Sequence, residues 1–323
     1  MSTDNRDAEE GNIMMCCASC GIAEVDEIKL KTCTACKLVR YCSVKCQREH
    51  RPKHKKACKK RAAELRDEIL FQQPESNHYG DCPICLVPLP LDKDETTIMT
   101  CCSKIICNGC DYSNLLRESK ESLETKCPFC RQPSGGLSLS EAEADKNTMK
   151  RIEANDPVAM SNMGKLRYDE GDYSSAFEYW TKAAGMGDID SHFHLGDLYR
   201  NGQGVEKDKK KELYHWEKAA IGGHAAARYN LGCNEGNNGS IERAVKHFII
   251  SAYLGYDRAI EVLKGEYANG TISKEDFAAA LRAHHTAVDA TKSPQREAAK
   301  EAKERGEFIR LCDYKVSENT PRF

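Results

Sequence analysis

Residues 195–224 read LGDLYRNGQGVEKDKKKELYHWEKAAIGGH, and two marks inside this stretch, Leu195-Gly196 and Ala219-Ala220, recur along the chain at a nearly fixed interval. Met163-Gly164, Leu195-Gly196, Leu231-Gly232 and Leu263-Lys264 stand 32, 36 and 32 residues apart. Ala183-Ala184, Ala219-Ala220 and Ser251-Ala252 repeat the intervals 36 and 32. A period of this length signals one supersecondary unit used several times, and alanine, leucine and tyrosine at helical spacing make each unit a helical hairpin. The four extra residues of the second unit fall in 201–208, where glycines permit a turn and Asp208 is placed to cap the next helix. Residues 151–290 therefore read as an all-α solenoid with an ordinary hydrophobic core.

Ahead of the solenoid the composition changes. Of 18 cysteines, fifteen fall in paired spacings within 16–58 and 82–130, where large apolar residues are few. Neither segment can bury a sufficient core without help, and C-x2-C pairs point to metal rather than to oxidative staples. In the first segment, Cys17-x2-Cys20, Cys33-x2-Cys36, Cys42-x3-Cys46 and His54-x3-Cys58 supply eight donors. A C-x2-C loop bends two thiolates onto one metal and an i, i+4 pair puts both donors on one helix face, so seven Cys and one His make two tetrahedral sites. Cys16 offers an alternative register to Cys17, although Cys17-x2-Cys20 is the better pair. In the second segment, Cys82-x2-Cys85, Cys101-Cys102-x4-Cys107-x2-Cys110 and Cys127-x2-Cys130 supply eight more thiols.

Bulk properties narrow the function classes. With 323 residues, 30% of them charged, and a mean hydropathy of -0.65, the chain is expected to be a soluble protein of two or three domains. Its longest apolar runs, such as Phe248-Ile249-Ile250, are far too short to span a membrane. Met1 to Glu10 carries acids and no apolar stretch, so no secretory signal is expected, and the expected location is cytoplasmic or nuclear. The formal charge is -2, and fifteen thiolates with four Zn2+ would bring it to about -9. That balance argues against nucleic acid as the main partner. Residues 47–66 hold nine Lys/Arg against two Glu, but without interleaved aromatic residues the run reads as a solvated helix face.

Three resemblances add to this reading. The stretch Tyr41-Cys42-Ser43-Val44-Lys45-Cys46-Gln47, followed by His54-Lys55-Lys56-Ala57-Cys58, resembles the MYND finger over about 45 residues. The resemblance implies interleaved pairs, with one zinc on Cys17, Cys20, Cys42 and Cys46 and the other on Cys33, Cys36, His54 and Cys58. His50 reads as a surface or packing residue. MYND fingers that grip proline-containing peptides usually carry a tryptophan just after the position of His50, and here Arg51 stands there, so peptide motifs are a candidate ligand without the aromatic floor. The second segment resembles an all-cysteine RING over about 50 residues, which implies one zinc on Cys82, Cys85, Cys107 and Cys110 and another on Cys101, Cys102, Cys127 and Cys130. Lys104 stands where a common RING places histidine, so Cys102 must fill that role beside Cys101, a tighter spacing than usual. The solenoid resembles Sel-one-like repeats, relatives of the tetratricopeptide repeat. Leu195-Gly196, Tyr199, Gly202, Gly204-Val205, Asp208, Trp216, Lys218-Ala219-Ala220 and Gly223-His224 match that pattern in the second unit, and the fourth unit keeps Leu263, Tyr267, Gly270 and Ala278 to Ala280.

The expected architecture is multidomain: two small cross-braced zinc modules with little regular structure, then an all-α helical-repeat solenoid. Residues 1–14 are expected to be a disordered tail, 15–60 the MYND-type finger, 61–78 a helical linker, 79–134 the RING-type finger, 135–150 a second linker, 151–290 the repeats and 291–323 a polar, partly disordered tail. The RING resemblance implies a ubiquitin-protein ligase that recruits a ubiquitin-conjugating enzyme through Ile84, Leu115 or Leu116, Pro128 and Arg131, with the repeats selecting protein substrates. RING domains position a charged conjugating enzyme and do no covalent chemistry themselves. The other reading is a non-enzymatic adaptor, in which zinc modules and repeats scaffold partners.

Overall fold

The computed structural model describes residues 16–124, 126–132 and 141–307. The expected N-terminal tail, the first six positions of the 135–150 linker and the last sixteen positions lie outside the described residues, and the rest of that linker is helical rather than loop. The chain divides into two compact units, 1–72 and 73–323.

The first unit has little regular structure before its helix. β1 (Lys31–Thr32) pairs antiparallel with β2 (Arg40–Tyr41), Lys31 opposite Tyr41 and Thr32 opposite Arg40. α1 (Val44–Leu70) follows, capped by the Ser43 side chain, which accepts from the Cys46 N–H at 3.2 Å. Its buried cluster consists of Cys17, Leu30, Cys33, Cys36, Tyr41 and Cys46. Four of these six are cysteines, so apolar burial cannot carry the fold and metal must. The linker helix expected after residue 60 is not a separate element. α1 passes through without a break because 59–70 contains no Gly or Pro to stop it.

The second unit opens with the other cysteine-rich module. β3 (Thr96–Met99) and β4 (Lys104–Cys107) form an antiparallel hairpin with Thr96 opposite Cys107 and Met99 opposite Lys104, and α2 (Asn108–Lys120) leads away from it. Cys82, Leu89, Met99, Ile106, Cys107 and Cys127 form its core.

The repeats follow as α3 (Glu141–Glu153), α4 (Pro157–Asp169), α5 (Tyr173–Gly185), α6 (Ile189–Asn201), α7 (Lys209–Ile221), α8 (Ala225–Asn237), α9 (Ile241–Tyr253), α10 (Asp257–Ala268) and α11 (Lys274–Ala290). Asp156, Asp172, Asp188 and Asp208 cap α4 to α7 through side-chain oxygens. The longer second unit has its extra residues between α6 and α7, as its glycines suggest. The Met-Gly and Leu-Gly marks have a packing cause. A Cβ at Gly164 would lie 2.6 Å from Trp180 Nε1, one at Gly196 2.3 Å from Trp216 Cδ1, and one at Gly232 2.7 Å from Phe248 Cε1. In each unit a large ring on the second helix sits on the first helix's backbone. In the fourth unit the ring position is Ala280, and there glycine gives way to Lys264.

One expectation for the C-terminal tail fails. Residues Pro294–Glu304 form a helix, α12, capped by Ser293. Its apolar face is made of Ala299 and Ala302, both buried, packed against Tyr112 and Leu115 of α2. The signals for this helix stand in the sequence, Ser293 before Pro294 at its first position and Ala299 and Ala302 spaced for one face, but no large apolar residue marks that face.

Candidate zinc centres

Four clusters bring their donors together in the interleaved order that the resemblances imply: Cys17, Cys20, Cys42 and Cys46; Cys33, Cys36, His54 and Cys58; Cys82, Cys85, Cys107 and Cys110; Cys101, Cys102, Cys127 and Cys130. In the first unit, Cys42 Sγ lies 3.6 Å from both Cys20 and Cys46, Cys33 lies 3.8 Å from Cys58, and Cys36 Sγ lies 3.2 Å from His54 Nε2. In the second unit, Cys82–Cys110 is 3.9 Å, Cys85–Cys107 3.8 Å, Cys102–Cys127 3.7 Å and Cys101–Cys130 3.3 Å. A zinc tetrahedron with Zn–S bonds of about 2.3 Å has edges of about 3.8 Å, whereas a disulfide is about 2.05 Å long. The donor sets therefore fit zinc, and the cluster with the adjacent pair Cys101-Cys102 has the shortest of these sulfur–sulfur distances, 3.3 Å. Zinc is the cofactor of this protein.

The backbone builds these sites by one device used four times. After four of the five C-x2-C pairs the next residue adopts a left-handed conformation, Gly21, Lys37, Leu86 and Arg131 having φ of 73, 58, 57 and 58°, whereas Cys107-x2-Cys110 runs into α2. Each of the four donates its N–H to the carbonyl of the first cysteine, at 2.9, 3.0, 2.8 and 3.0 Å respectively. Three of the four are not glycine, so the chain accepts backbone strain to fold the loop round a metal. This turn includes Cys17 and leaves Cys16 outside it, paired instead in a β-bridge with Ala23. His50 accepts or donates at Tyr41 Oη, 3.1 Å away, and stacks on His54 at 5.7 Å, which orients the ligand ring.

Electrostatics show clusters built for a dication. Burial pushes the Cys17 and Cys33 thiols up, but backbone N–H groups outweigh it and bring both down to about 6. The Cys107 thiol, against burial, brings Cys82 down to about 4. Their neighbours go the other way: hydrogen bonds with Cys20 and Cys46 push Cys42 up to about 12, and burial pushes Cys110 up to about 12. Thiols crowded this closely cannot all ionise until a cation takes the place of their protons. At one centre the protein adds a cation of its own. Arg296 of α12 donates to Cys85 Sγ at 3.6 Å and to the carbonyls of Val87 and Pro88 at 3.0 and 2.6 Å. A four-thiolate zinc site carries two net negative charges, so a guanidinium beside it is stabilising. Arg296 lies some 200 residues from its partners, and nothing local in the sequence marks it.

The residues expected to touch a conjugating enzyme are not equally placed. Ile84 is 43% exposed, and Pro128 and Arg131 are exposed, whereas Leu115 is 1% exposed beneath α12 and Leu116 packs against the same cluster.

A fifth convergence of donors, His78, Asp190 and His224, was also not foreseen. His78 Nε2 lies 2.9 Å and His224 Nε2 3.3 Å from Asp190 Oδ1, while Tyr79 Oη and Lys93 Nζ each lie 3.4 Å from Oδ2. His224 caps α8 by accepting the Ala227 N–H at Nδ1, 3.1 Å away. The neutral ring therefore carries its proton on Nε2, facing Asp190, and a metal there would need an imidazolate. Burial pushes the Asp190 carboxyl up, but the two imidazoles outweigh it and hold it well below the usual carboxylate range. The cluster is a polar latch that ties the chain entering the second zinc module to α6 and α8.

Comparison with known proteins defines the class. Residues 17–58 match the MYND finger family, and residues 157–188, 189–224 and 225–256 match the Sel1 repeat. The chain thus carries a zinc-binding MYND finger and Sel1 repeats, a combination suited to protein–protein interaction. Among curated relatives it is similar to "Putative beta-lactamase HcpC" of Helicobacter pylori (strain J99), 39% identical over 56 residues, 17% of this chain and 19% of that protein. The chain thus spans about a fifth of that relative's length. Among solved structures it is similar to a Sel1 repeat protein from Oxalobacter formigenes, with 23% identity, TM-score 0.41, and coverage of 62% of this chain and 87% of that one. A protective antigen of uropathogenic Escherichia coli displaying an SLR fold gives 21% identity and TM-score 0.36, covering 51% of this chain and 36% of that one.

Proposed function

We propose that this protein is a non-enzymatic, zinc-stabilised adaptor that brings protein partners together through its zinc modules and its repeats. The observation that carries this reading is α12 on the second zinc module. A conjugating enzyme would need the apolar residues of α2, and Leu115 is covered by Ala299 and Ala302. What the zinc modules leave exposed are apolar side chains on or beside their knuckle loops: Ile22, Leu38, Ile84 and Leu86. Such residues, held rigidly by metal-bound loops, favour contact with other proteins over chemistry.

The second reading is the RING-type ubiquitin ligase. It is favoured by Arg131, exposed directly after the last cysteine, together with exposed Ile84 and Pro128. A planar guanidinium there can donate to two partners at once. One experiment separates the readings: discharge of ubiquitin from a panel of charged conjugating enzymes to free lysine. It is run with the full chain and with an Ala299→Asp/Ala302→Asp variant that drives α12 from its seat. The adaptor reading expects background discharge from both. Discharge by either, lost on Ile84→Ala or Arg131→Ala with zinc content unchanged, replaces it with the ligase reading.

A further inference from the structure

α12 is short and carries no large apolar side chain, yet its recognition by the second zinc module is specific. Arg296 reaches the carbonyls of Val87 and Pro88 and the sulfur of Cys85, Lys303 Nζ donates to the Asp94 carbonyl at 3.1 Å, and Ala299 and Ala302 fill the saucer of Tyr112, Leu115 and Leu116. The seat is shaped for a close-lying backbone: a Cβ on Gly109 would come within 2.7 Å of Arg296 N. The acceptors are backbone carbonyls and a zinc thiolate, which reward a guanidinium and nothing apolar. We propose that the loop 85–88 and α2 of the second zinc module form a helix-binding surface, specific for an arginine-led, alanine-faced helix, and that α12 occupies it in cis as an exchangeable ligand.

Exchange follows from the kind of contact that holds α12, polar and alanine-sized rather than large and apolar. It has eleven residues, Pro294–Glu304, fewer than an isolated helix needs to persist in water. It buries alanine where the repeats bury tryptophan and phenylalanine, and a cavity of about 510 Å3, lined by charged residues including Asp94, Lys292 and Lys300, adjoins its docked face. Only Thr291 to Ser293 join it to α11, so its high effective concentration, rather than strong contacts, keeps it seated. The α12 of a second copy of this chain, with the same Arg-x-x-Ala-x-x-Ala face, competes for the seat. This bears on the adaptor reading, which rests on α12 covering Leu115, and the ubiquitin-discharge assay tests that reading separately from the peptide titration.

The probe is a fluorescent peptide of residues 290–307, titrated by anisotropy into the zinc-loaded full chain and into its Ala299→Asp/Ala302→Asp variant. The variant, whose own helix is repelled, is expected to bind the peptide at least about tenfold more tightly than the parent. Adding Leu115→Asp to the variant, or replacing Arg296 of the peptide by alanine, should abolish that gain. Zinc content and far-ultraviolet circular dichroism verify folding. Hydrogen exchange on the unaltered chain gives a second readout: α12 amides should exchange by local opening well ahead of those in α6 and α7. Equal peptide binding by parent and variant, or α12 protection as strong as that of α6 and α7, overturns the proposal.

Discussion

Replacing Gly196 by alanine tests the packing rule behind the repeat. In an ordinary helix this change gains up to about 1 kcal/mol, because alanine loses less backbone entropy than glycine. Here the new Cβ would stand 2.3 Å from Trp216 Cδ1 and 2.5 Å from its Nε1, against about 3.5–4.0 Å for a relaxed carbon contact. The indole must retreat by more than an ångström, yet it is 1% exposed and bonded through Nε1 to Asp197 Oδ1 at 3.2 Å. Overpacking of this kind costs about 1–3 kcal/mol, and a weakened hydrogen bond costs about 1 more. The clash outweighs the propensity gain, and Gly196→Ala should destabilise by about 1–3 kcal/mol, lowering the thermal midpoint by roughly 3–10 °C. Circular dichroism at 222 nm measures the midpoint, and near-ultraviolet dichroism reports the packing of Trp180 and Trp216, the two tryptophans of the chain. Gly185→Ala in α5 is the control, since a Cβ there meets nothing within 4 Å, and it should be neutral or stabilising. If Gly196→Ala behaved like the control, the ring-on-backbone account of the Leu-Gly mark would be wrong.

Elemental analysis should find four zinc ions per chain, and strong chelation should unfold 16–58 and 82–132 and release α12 while the helices α4 to α11 persist, since structural sites supply about 10–16 kcal/mol each. Burial pushes the Asp197 carboxyl up to about 6, against the hydrogen bond from Trp216. The unfolded chain loses this proton near pH 4 and the folded chain near pH 6, so Asp197 should remove stability, on the order of 1–3 kcal/mol, as pH rises through that window. Asp197→Asn should therefore raise the midpoint at pH 7.5 and flatten its pH dependence between 4 and 6, and a lowered midpoint at pH 7.5 would contradict the assignment. Asp190 has the opposite sign: its carboxyl is held low, so its contribution is present above about pH 4 and fades as pH falls below that. Asp190→Asn should lower the midpoint at neutral pH by a few degrees, and an unchanged midpoint would mean that the latch contributes nothing.

What could be read in the sequence was what local spacing encodes. A C-x2-C pair closes its own turn, so the ligands Cys17 to Cys58 and Cys82 to Cys130 declare themselves within a few residues. Two points stayed open in the sequence: the Cys16 or Cys17 register, where Cys17 joins the cluster, and the adjacency of Cys101 and Cys102, which both converge on one cluster with a 3.3 Å edge at Cys101–Cys130. The repeat period was legible for the same reason, and so was the extra turn before Asp208. The features that could not be read depend on pairs far apart in the chain. Tyr79 and Asp190 lie 111 residues apart, and Arg296 and Pro88 lie 208 apart. Neither contact leaves a periodic or spacing signal. α12 was legible, since Ser293-Pro294 opens it and its alanines share one face, and only the lack of a large apolar residue hid it.

Those two long-range contacts differ in kind, and the difference gives the second zinc module a firm end and a loose one. At Asp190 a carboxylate 18% exposed in its side chain meets His78, whose side chain is 5% exposed, and His224. Pulling this latch apart would strand a charge where water scarcely reaches, so separation is costly. At α12 the partners are backbone carbonyls, a sulfur already committed to zinc and two alanine methyls. When Arg296 leaves, those carbonyls turn to solvent and the guanidinium rehydrates, and the negative four-thiolate centre loses a favourable charge contact but keeps the zinc that balances half of its thiolate charge. The module is thus held fast by the Asp190 latch where the chain enters it and only loosely by α12 after the repeats. The α12 of a second copy can take the seat without undoing the Asp190 contact. Occupancy of that seat can change while the first centre of the module, Cys82, Cys85, Cys107 and Cys110, keeps its geometry, because α2 and loop 85–88 are held by zinc rather than by α12.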